Sequence, residues 1–419
     1  MLDACSDSVQ SYPYNLMYEK PRAVARRSSR FGEHSRKWYT SLHQASGQGF
    51  INVEDERDRE MKKVAQCTVV DVFAGAGGLT HGFISEGFDV AAGIDADQMC
   101  QYPYANNNSG AQFIHAKIED VTADDVLAFY PKNHIKVLVG CAPCQPFSAY
   151  TRKQGRHENW DLLYDFADLI KAVQPEIVSM ENVPRLKSYD GGQVLLDFVN
   201  VLNRNGYQVT WSDRIYAPDY GVPQHRYRLI LIASKFGRVE FLRRSHTPDR
   251  YRTVRDVIGD LEPIRAGEMS LADPLHRASI LSEVNMERIR ASKPGGTWHD
   301  WPEGMRAACH IKESGKWYRN VYGRMAWNEP SPTITTQSYG FGNGRFGHPE
   351  QDRAISLREA ALLQTFPDDY RFFEPGKAYP ISAITRLIGN AVPVALARMI
   401  AKSIRLHIFQ HRGWLWQEP

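Results

Sequence analysis

The run Thr68-Val-Val-Asp-Val-Phe73, followed at once by Ala74-Gly75-Ala76-Gly77-Gly78, constrains the chain more than any other stretch. A short apolar, β-branched run predicts a buried strand, and the glycines predict a turn at its carboxyl end. Leu79, Phe83 and Ile84 then fall near one helical face, with Gly87 placed to end the helix. A second strand, Phe88-Asp-Val-Ala-Ala92, leads to Gly93-Ile94-Asp95. This is β–loop–α–β, with an acid about twenty residues beyond the glycines, where a carboxylate can accept bonds from ribose hydroxyls. Gly75 and Gly77 fit the dinucleotide pattern, but Thr80 stands at its third glycine. The turn therefore suits a nucleoside and argues against NAD or FAD.

Strand and helix keep alternating. Residues 135–139 predict a strand that runs into Gly140-Cys141-Ala142-Pro143-Cys144-Gln145-Pro146-Phe147-Ser148. Two prolines stiffen that loop. A side chain there stands at the carboxyl edge of a sheet, where open α/β folds bind ligands. Cys144 is the candidate nucleophile. Cys141 and Cys144 also form a CxxC, which fits a redox pair or half a zinc site. Cys5, Cys67, Cys100 and Cys309 supply no second CxxC, which disfavours zinc. On this loop alone, redox pair and nucleophile both stay open.

Residues 162–173 predict a helix that Pro175 stops, and 176–180 a strand leading into Glu181-Asn182-Val183. Glu181 would share the sheet edge with Asp95 and Cys144, as a carboxylate near a nucleophile suited to acid/base work. A helix over 194–202 and strands over 208–216 and 227–233 follow. Gln224, Arg226 and Arg228 alternate just before the last strand, so in extended chain they share one face. That face is either an exposed edge or a fork for a base carbonyl or phosphate. From His225 to Arg255 only Glu240 and Asp249 oppose a run of basic residues, a positive wall beside the sheet edge. After about residue 240 the alternation ends. Residues 245–345 mix Pro, Gly, Trp and Arg, as in a loop-rich second domain. Helical spacing returns over 356–366. Gly389-Asn390-Ala391-Val392-Pro393 opens a last helix, 394–408, apolar enough to pack back on the sheet.

Ahead of all this, residues 1–66 show no clear periodicity. Lys20, Arg22, Arg26, Arg27, Arg30, Arg36 and Lys37 face only Glu33. They read as a solvated tail, partly disordered or helical, or as an arm for nucleic-acid phosphates. A length of 419 residues with 42% hydrophobic and 24% charged residues predicts two or more domains. No apolar run approaches the ~20 residues that span a bilayer. The N-terminus lacks a signal-peptide core, and the scattered cysteines favour a reducing, cytoplasmic setting. A net charge of +3 is too small to argue for nucleic acid by itself.

Taken in order, Phe73-Ala-Gly-Ala-Gly-Gly-Leu79, Gly140-Cys-Ala-Pro-Cys-Gln145, Glu181-Asn-Val183, Gln224-His-Arg-Tyr-Arg228, Ser356-Leu-Arg-Glu359 and Gly389-Asn-Ala-Val-Pro393 resemble the motifs of cytosine-5 DNA methyltransferases of bacterial or phage type. The resemblance covers roughly residues 68–405. It implies an α/β fold, the Rossmann-like mixed sheet of S-adenosylmethionine-dependent methyltransferases, with helices on both faces. A smaller loop-rich target-recognition domain would accompany it. The implied division is a basic extension over 1–66, a catalytic and cofactor domain over 67–240, target recognition over 241–380, and a segment over 381–419 that completes the catalytic domain.

By that resemblance Cys144 attacks carbon 6 of a flipped-out cytosine and Glu181 protonates or hydrogen-bonds ring nitrogen 3. Arg228 holds the base carbonyl and Arg226 supports its loop. Phe73, Gly75, Gly77, Gly78, Leu79, Asp95, Ile118, Pro143, Leu162 or Leu163, Asn390 and Val392 would surround S-adenosylmethionine, with no metal. Gln145, Ser148, Gln224 and Thr335 would face the DNA. The implied partner is duplex DNA, with a cognate restriction endonuclease related by function rather than contact, and no membrane. The chemistry calls for the same groups: carbon 5 of cytosine becomes a methyl acceptor only when a thiolate adds next to it and the ring nitrogen is neutralised. A stacked base must also be extruded to be reached.

Three other readings share some of these residues: a tRNA methyltransferase of the same fold, a catalytically silent DNA-binding regulator, and a CxxC oxidoreductase. The last leaves Glu181 and the arginine fork without a task. Two departures from the family pattern stand out. Asp95-Ala96-Asp97 occupies a Glu-Xaa-Asp position, so the ribose-binding acid is a methylene shorter, and Lys117 stands where an adenine-contacting Asp is usual.

Overall fold

The computed structural model describes residues 66–143, 161–313, 315 and 320–412. The basic extension, apart from Gln66, lies outside the described residues. A seven-stranded sheet has the order β3-β2-β1-β4-β5-β7-β6. Its centre is β1 (Cys67–Val72), parallel to β2 (Asp89–Asp95) on one side and β4 (Ile135–Gly140) on the other. β3 (Gln112–His115) extends the sheet beyond β2, and β5 (Ile177–Asn182) lies parallel to β4. β7 (Tyr227–Ser234) runs antiparallel between β5 and β6 (Gln208–Tyr216). Crossovers with helices keep the early strands parallel, whereas the short link from β6 to β7 returns the chain beside itself. The sheet is therefore mixed.

Period-two alternation sends neighbouring residues to opposite faces. Val70, Val72, Leu138 and Met180 pack with Phe166 and Ile170 of the helix Asp161–Val173 and Phe198 of the helix Gln193–Arg204. Val69, Val137 and Val139 pack with Leu79 and Phe83 of the helix Gly78–Ser85 and with Ile400 and Ile404 of the helix Val394–His411. The last helix thus closes the second face, as its apolar composition predicts. Among the described residues one stretch, Ile381–His411, has the length and hydropathy to cross a membrane, but 78% of its most apolar window is buried and Pro393 divides it into two helices. Glu181 sits within β5 opposite Ile230 of β7, one position further into the sheet than the sequence predicts.

Beyond Ser234 the described residues up to 355 hold only short helices, such as Arg255–Ile258 and Glu283–Ala291, and isolated bridges. Ile334, Phe346, Leu357, Phe366 and Ile388 form a further core that reaches the sheet through Ala76 and Cys100. Trp298, Trp301 and Phe341 gather around Ile289 in a smaller one.

Candidate active site

A cavity of about 710 Å³ opens at the carboxyl ends of β1, β2, β4 and β5. Phe73, a non-glycine residue, takes a left-handed φ of 59° where β1 ends, and Gly75 and Gly77 follow at 53° and 90°. Backbone strain of this kind persists where the surroundings over-determine it and clusters at functional sites. A Cβ on Gly77 would lie 2.3 Å from Asn108 Nδ2, so side chains are excluded there by space as well as by φ. Ala74 N donates to Ile94 O at 3.1 Å, which ties the turn to the end of β2.

Of the residues expected around the cofactor, Phe73, Gly75, Gly78 and Leu79 line this cavity from the β1 side. Asp95, Ile118, Pro143 and Leu162 line it from the adjoining strand ends, and Asn390 and Val392 from the junction just ahead of the last helix. Gly77 shapes the turn from outside the lining, and Leu163 belongs to the core instead. Apolar walls for a purine face, an acid at the end of β2 and a turn built only of glycine and alanine fit a nucleoside-bearing methyl donor.

The short acid is held in an unforeseen way. Asp95 Oδ2 accepts from Gly75 N and Oδ1 from Asp97 N, each at 2.8 Å. Burial nonetheless pushes its carboxyl above the ordinary range. Asp97 pairs with Arg386 from the helix Ile381–Asn390, and Lys117 pairs with Glu119 at 3.1 Å on the cavity rim. No motif points to Arg386, because the contact joins residues far apart in sequence.

At the other end of the cavity stand Glu181, Arg226 and Arg228. Arg228 Nε lies 2.7 Å from Glu181 Oε1, an ion pair between side chains only 12% and 4% exposed. Cys141 Sγ donates to Glu181 Oε2 at 2.9 Å. Asn182 Nδ2 donates to Ala142 O at 3.2 Å, pinning the start of the cysteine loop to β5. Cys144, Gln145 and Ser148 lie outside the described residues. Carboxylate and guanidinium thus converge at the sheet edge, in the cavity that Pro143 also lines.

Gln224 corrects an expectation. Its side chain is wholly buried and does not reach the cavity. Gln224 Nε2 donates to Gln364 Oε1 at 2.9 Å, and its Oε1 accepts from Ile334 N at 3.0 Å and Arg226 Nη1 at 3.2 Å. Two of those partners, residues 334 and 364, cover the face that the sequence left as exposed edge or DNA fork. The Gln224 side chain is therefore spent on bracing Arg226 and the 334 and 364 segments. Arg226 is buried too, and its Nη1 also donates to Ile334 O at 3.2 Å. Thr335 is exposed, and its Oγ1 accepts from Gln337 N at 3.3 Å. A Cβ on Gly389 would sit 2.4 Å from Thr335 C and Thr336 N. This close approach sets the Thr335 segment against the helix that delivers Asn390.

Comparison with known proteins follows the same lines. A model of the C-5 cytosine-specific DNA methylase family matches residues 67–406. The chain is 53% identical over 337 residues to the Type II methylase M.HgiDII of Herpetosiphon aurantiacus, covering 80% of this chain and 94% of that one. It is 33% identical over 342 residues to the Type II methyltransferase M1.HphI of Haemophilus parahaemolyticus, covering 80% and 86%. Among solved structures, a prophage-encoded DNA modification methyltransferase from E. coli shares the fold with a TM-score of 0.63 at 22% identity, over 81% of this chain and 98% of that one.

Proposed function

The chain belongs to the C-5 cytosine-specific DNA methylase family and is a DNA cytosine-5-methyltransferase, and from that premise we propose that Cys144, Glu181 and Arg228 convert one extruded cytosine into a methyl acceptor at the sheet edge. The observation that carries this reading is the Glu181–Arg228 pair, set in the wall of the cavity that Pro143 also lines. The Cys144 thiolate adds to carbon 6, and the electron pair moves toward ring nitrogen 3. Glu181 neutralises that nitrogen by proton or hydrogen bond, while Arg228 holds the carboxylate and the base carbonyl. An enamine results, nucleophilic at carbon 5. When bound, S-adenosylmethionine supplies an electrophilic methyl group on a sulfonium. Phe73, Asp95, Ile118, Leu162, Asn390 and Val392 would hold it. Once carbon 5 is methylated, loss of its proton to a base lets the Sγ–C6 bond break and frees Cys144.

Residues 241–380, with their Pro, Gly, Trp and Arg, would carry sequence readout in duplex DNA, and the basic run beyond His225 would contact phosphates. The Type II names of the relatives support a place in restriction–modification, with a cognate endonuclease as functional partner in a bacterial cytoplasm. They and the family model favour DNA over the tRNA, silent-regulator and oxidoreductase readings. Methyl transfer to duplex DNA by Cys144→Ala is expected to be undetectable, and undiminished transfer would overturn the mechanism. In competition with tRNA, duplex DNA is expected to take the label.

A further inference from the structure

Glu181 is nearly buried, and a buried carboxylate needs partners to stay where it is. The Arg228 guanidinium is its ion partner, with Nε 2.7 Å from Oε1, and Oε1 accepts no hydrogen bond among the described residues. The other oxygen is met by a thiol, Cys141 Sγ at 2.9 Å. The pairing register explains why. Gly140 of β4 lies opposite Met180 of β5, so the next residue of each strand, Cys141 and Glu181, emerges side by side at the cavity. Asn182, through Ala142 O, keeps that part of the loop from drifting away.

We propose that Cys141 is a positioning residue for Glu181. With Arg228 it grips the carboxylate from two sides and fixes its rotation, so that the acid meets the ring nitrogen without reorganising. The sulfur needs no redox change and no covalent step for this; it acts as a donor. The inference rests on Glu181 being the group that neutralises the base.

The test is steady-state methylation of duplex DNA by Cys141→Ala, Cys141→Ser, Glu181→Gln and the double variant Cys141→Ala with Glu181→Gln. Losing a hydrogen bond to a charged group predicts a kcat for Cys141→Ala about ten- to fiftyfold down, with KM for DNA and for the methyl donor within about twofold. A serine hydroxyl can donate in place of the thiol, so Cys141→Ser is expected within about threefold of the parent. If Cys141 acts through Glu181, removing it in the Glu181→Gln background lowers kcat by less than about twofold more. A merely structural thiol would give the same loss in both backgrounds, and that result overturns the proposal. So does a Cys141→Ala kcat within about twofold of the parent, or a Cys141→Ser variant as slow as Cys141→Ala. Undiminished activity in Glu181→Gln would instead strike the reading on which the proposal rests.

Discussion

Asp71 in the central strand and Glu359 in the helix Leu357–Leu363 are both fully enclosed carboxyl groups, yet they are held in opposite states. Glu359 receives Arg353 Nη1 and Nη2 at 2.7 Å each and Ser356 N at 2.6 Å. The buried Arg353 guanidinium and these bonds outweigh burial and hold the Glu359 carboxyl at about 2. Asp71, beneath the cavity, has the Thr80 hydroxyl on Oδ2 at 2.7 Å, while its Oδ1 is buried without a hydrogen-bond partner among the described residues. Burial pushes it up to about 7, with Asp95 adding to the rise. Glu359 has a donor on each oxygen and is fixed as a carboxylate. Asp71, in the central strand, keeps one oxygen without a hydrogen bond and titrates where pH can change its state.

The comparison breaks most sharply at Glu181. Glu181→Gln keeps the shape and removes the acid, so kcat is expected to fall about 10²- to 10⁴-fold, the range of a lost general acid, with little change in Tm. Single-turnover methylation beside a thermal melt reads both. A melt lowered as much as the rate would place Glu181 with the structural carboxylates instead.

Glu359→Gln should do the reverse. It strands the Arg353 guanidinium inside the protein, which costs about 3–5 kcal/mol of stability. Denaturant unfolding is expected to shift strongly, with specific activity of the folded fraction retained. Because the folded carboxyl lies below its unfolded value, this stabilisation is complete above about pH 4.5 and fades as pH falls toward 2.

Asp71→Asn should act with the opposite sign. A carboxyl raised in the fold gives a contribution that is complete below its unfolded value and is lost as pH climbs through about 7. Relative to the parent, the asparagine variant is expected to gain stability steadily between pH 4 and 7, toward roughly 2–4 kcal/mol at pH 8, read as a rising Tm difference. A Tm difference independent of pH would mean that Asp71 is partnered in solution.

The sheet was largely legible in the sequence because runs such as Thr68–Phe73 and Ile135–Val139 carry their burial locally, in β-branched residues bounded by glycine. The ligand edge followed from the same runs. What stayed hidden needs a partner from elsewhere in the chain. Alternation puts Gln224, Arg226 and Arg228 on one face, but only the covering residues 334 and 364 reveal that Gln224 is sealed while Arg228 reaches Glu181. The CxxC spacing named Cys141, yet its bond to Glu181 depends on the β4–β5 register, which no single strand encodes.

Asp95 offers the mildest and most local test of the contrast. Its two oxygens each accept one backbone N–H, from the glycine turn and from Asp97, so the acid shapes the cavity by joining two strand ends. An asparagine can accept with one atom only, and its amide would face the other N–H. The neighbouring turn should loosen where the methyl donor's nucleoside is expected to rest. Asp95→Asn is therefore predicted to raise KM for the donor about five- to tenfold, the effect of one lost capping-type bond, with kcat within about threefold and KM for DNA unchanged. Initial rates at varied S-adenosylmethionine read this directly. An unchanged donor KM would mean that the two backbone bonds serve the fold alone, as the bonds to Glu359 do.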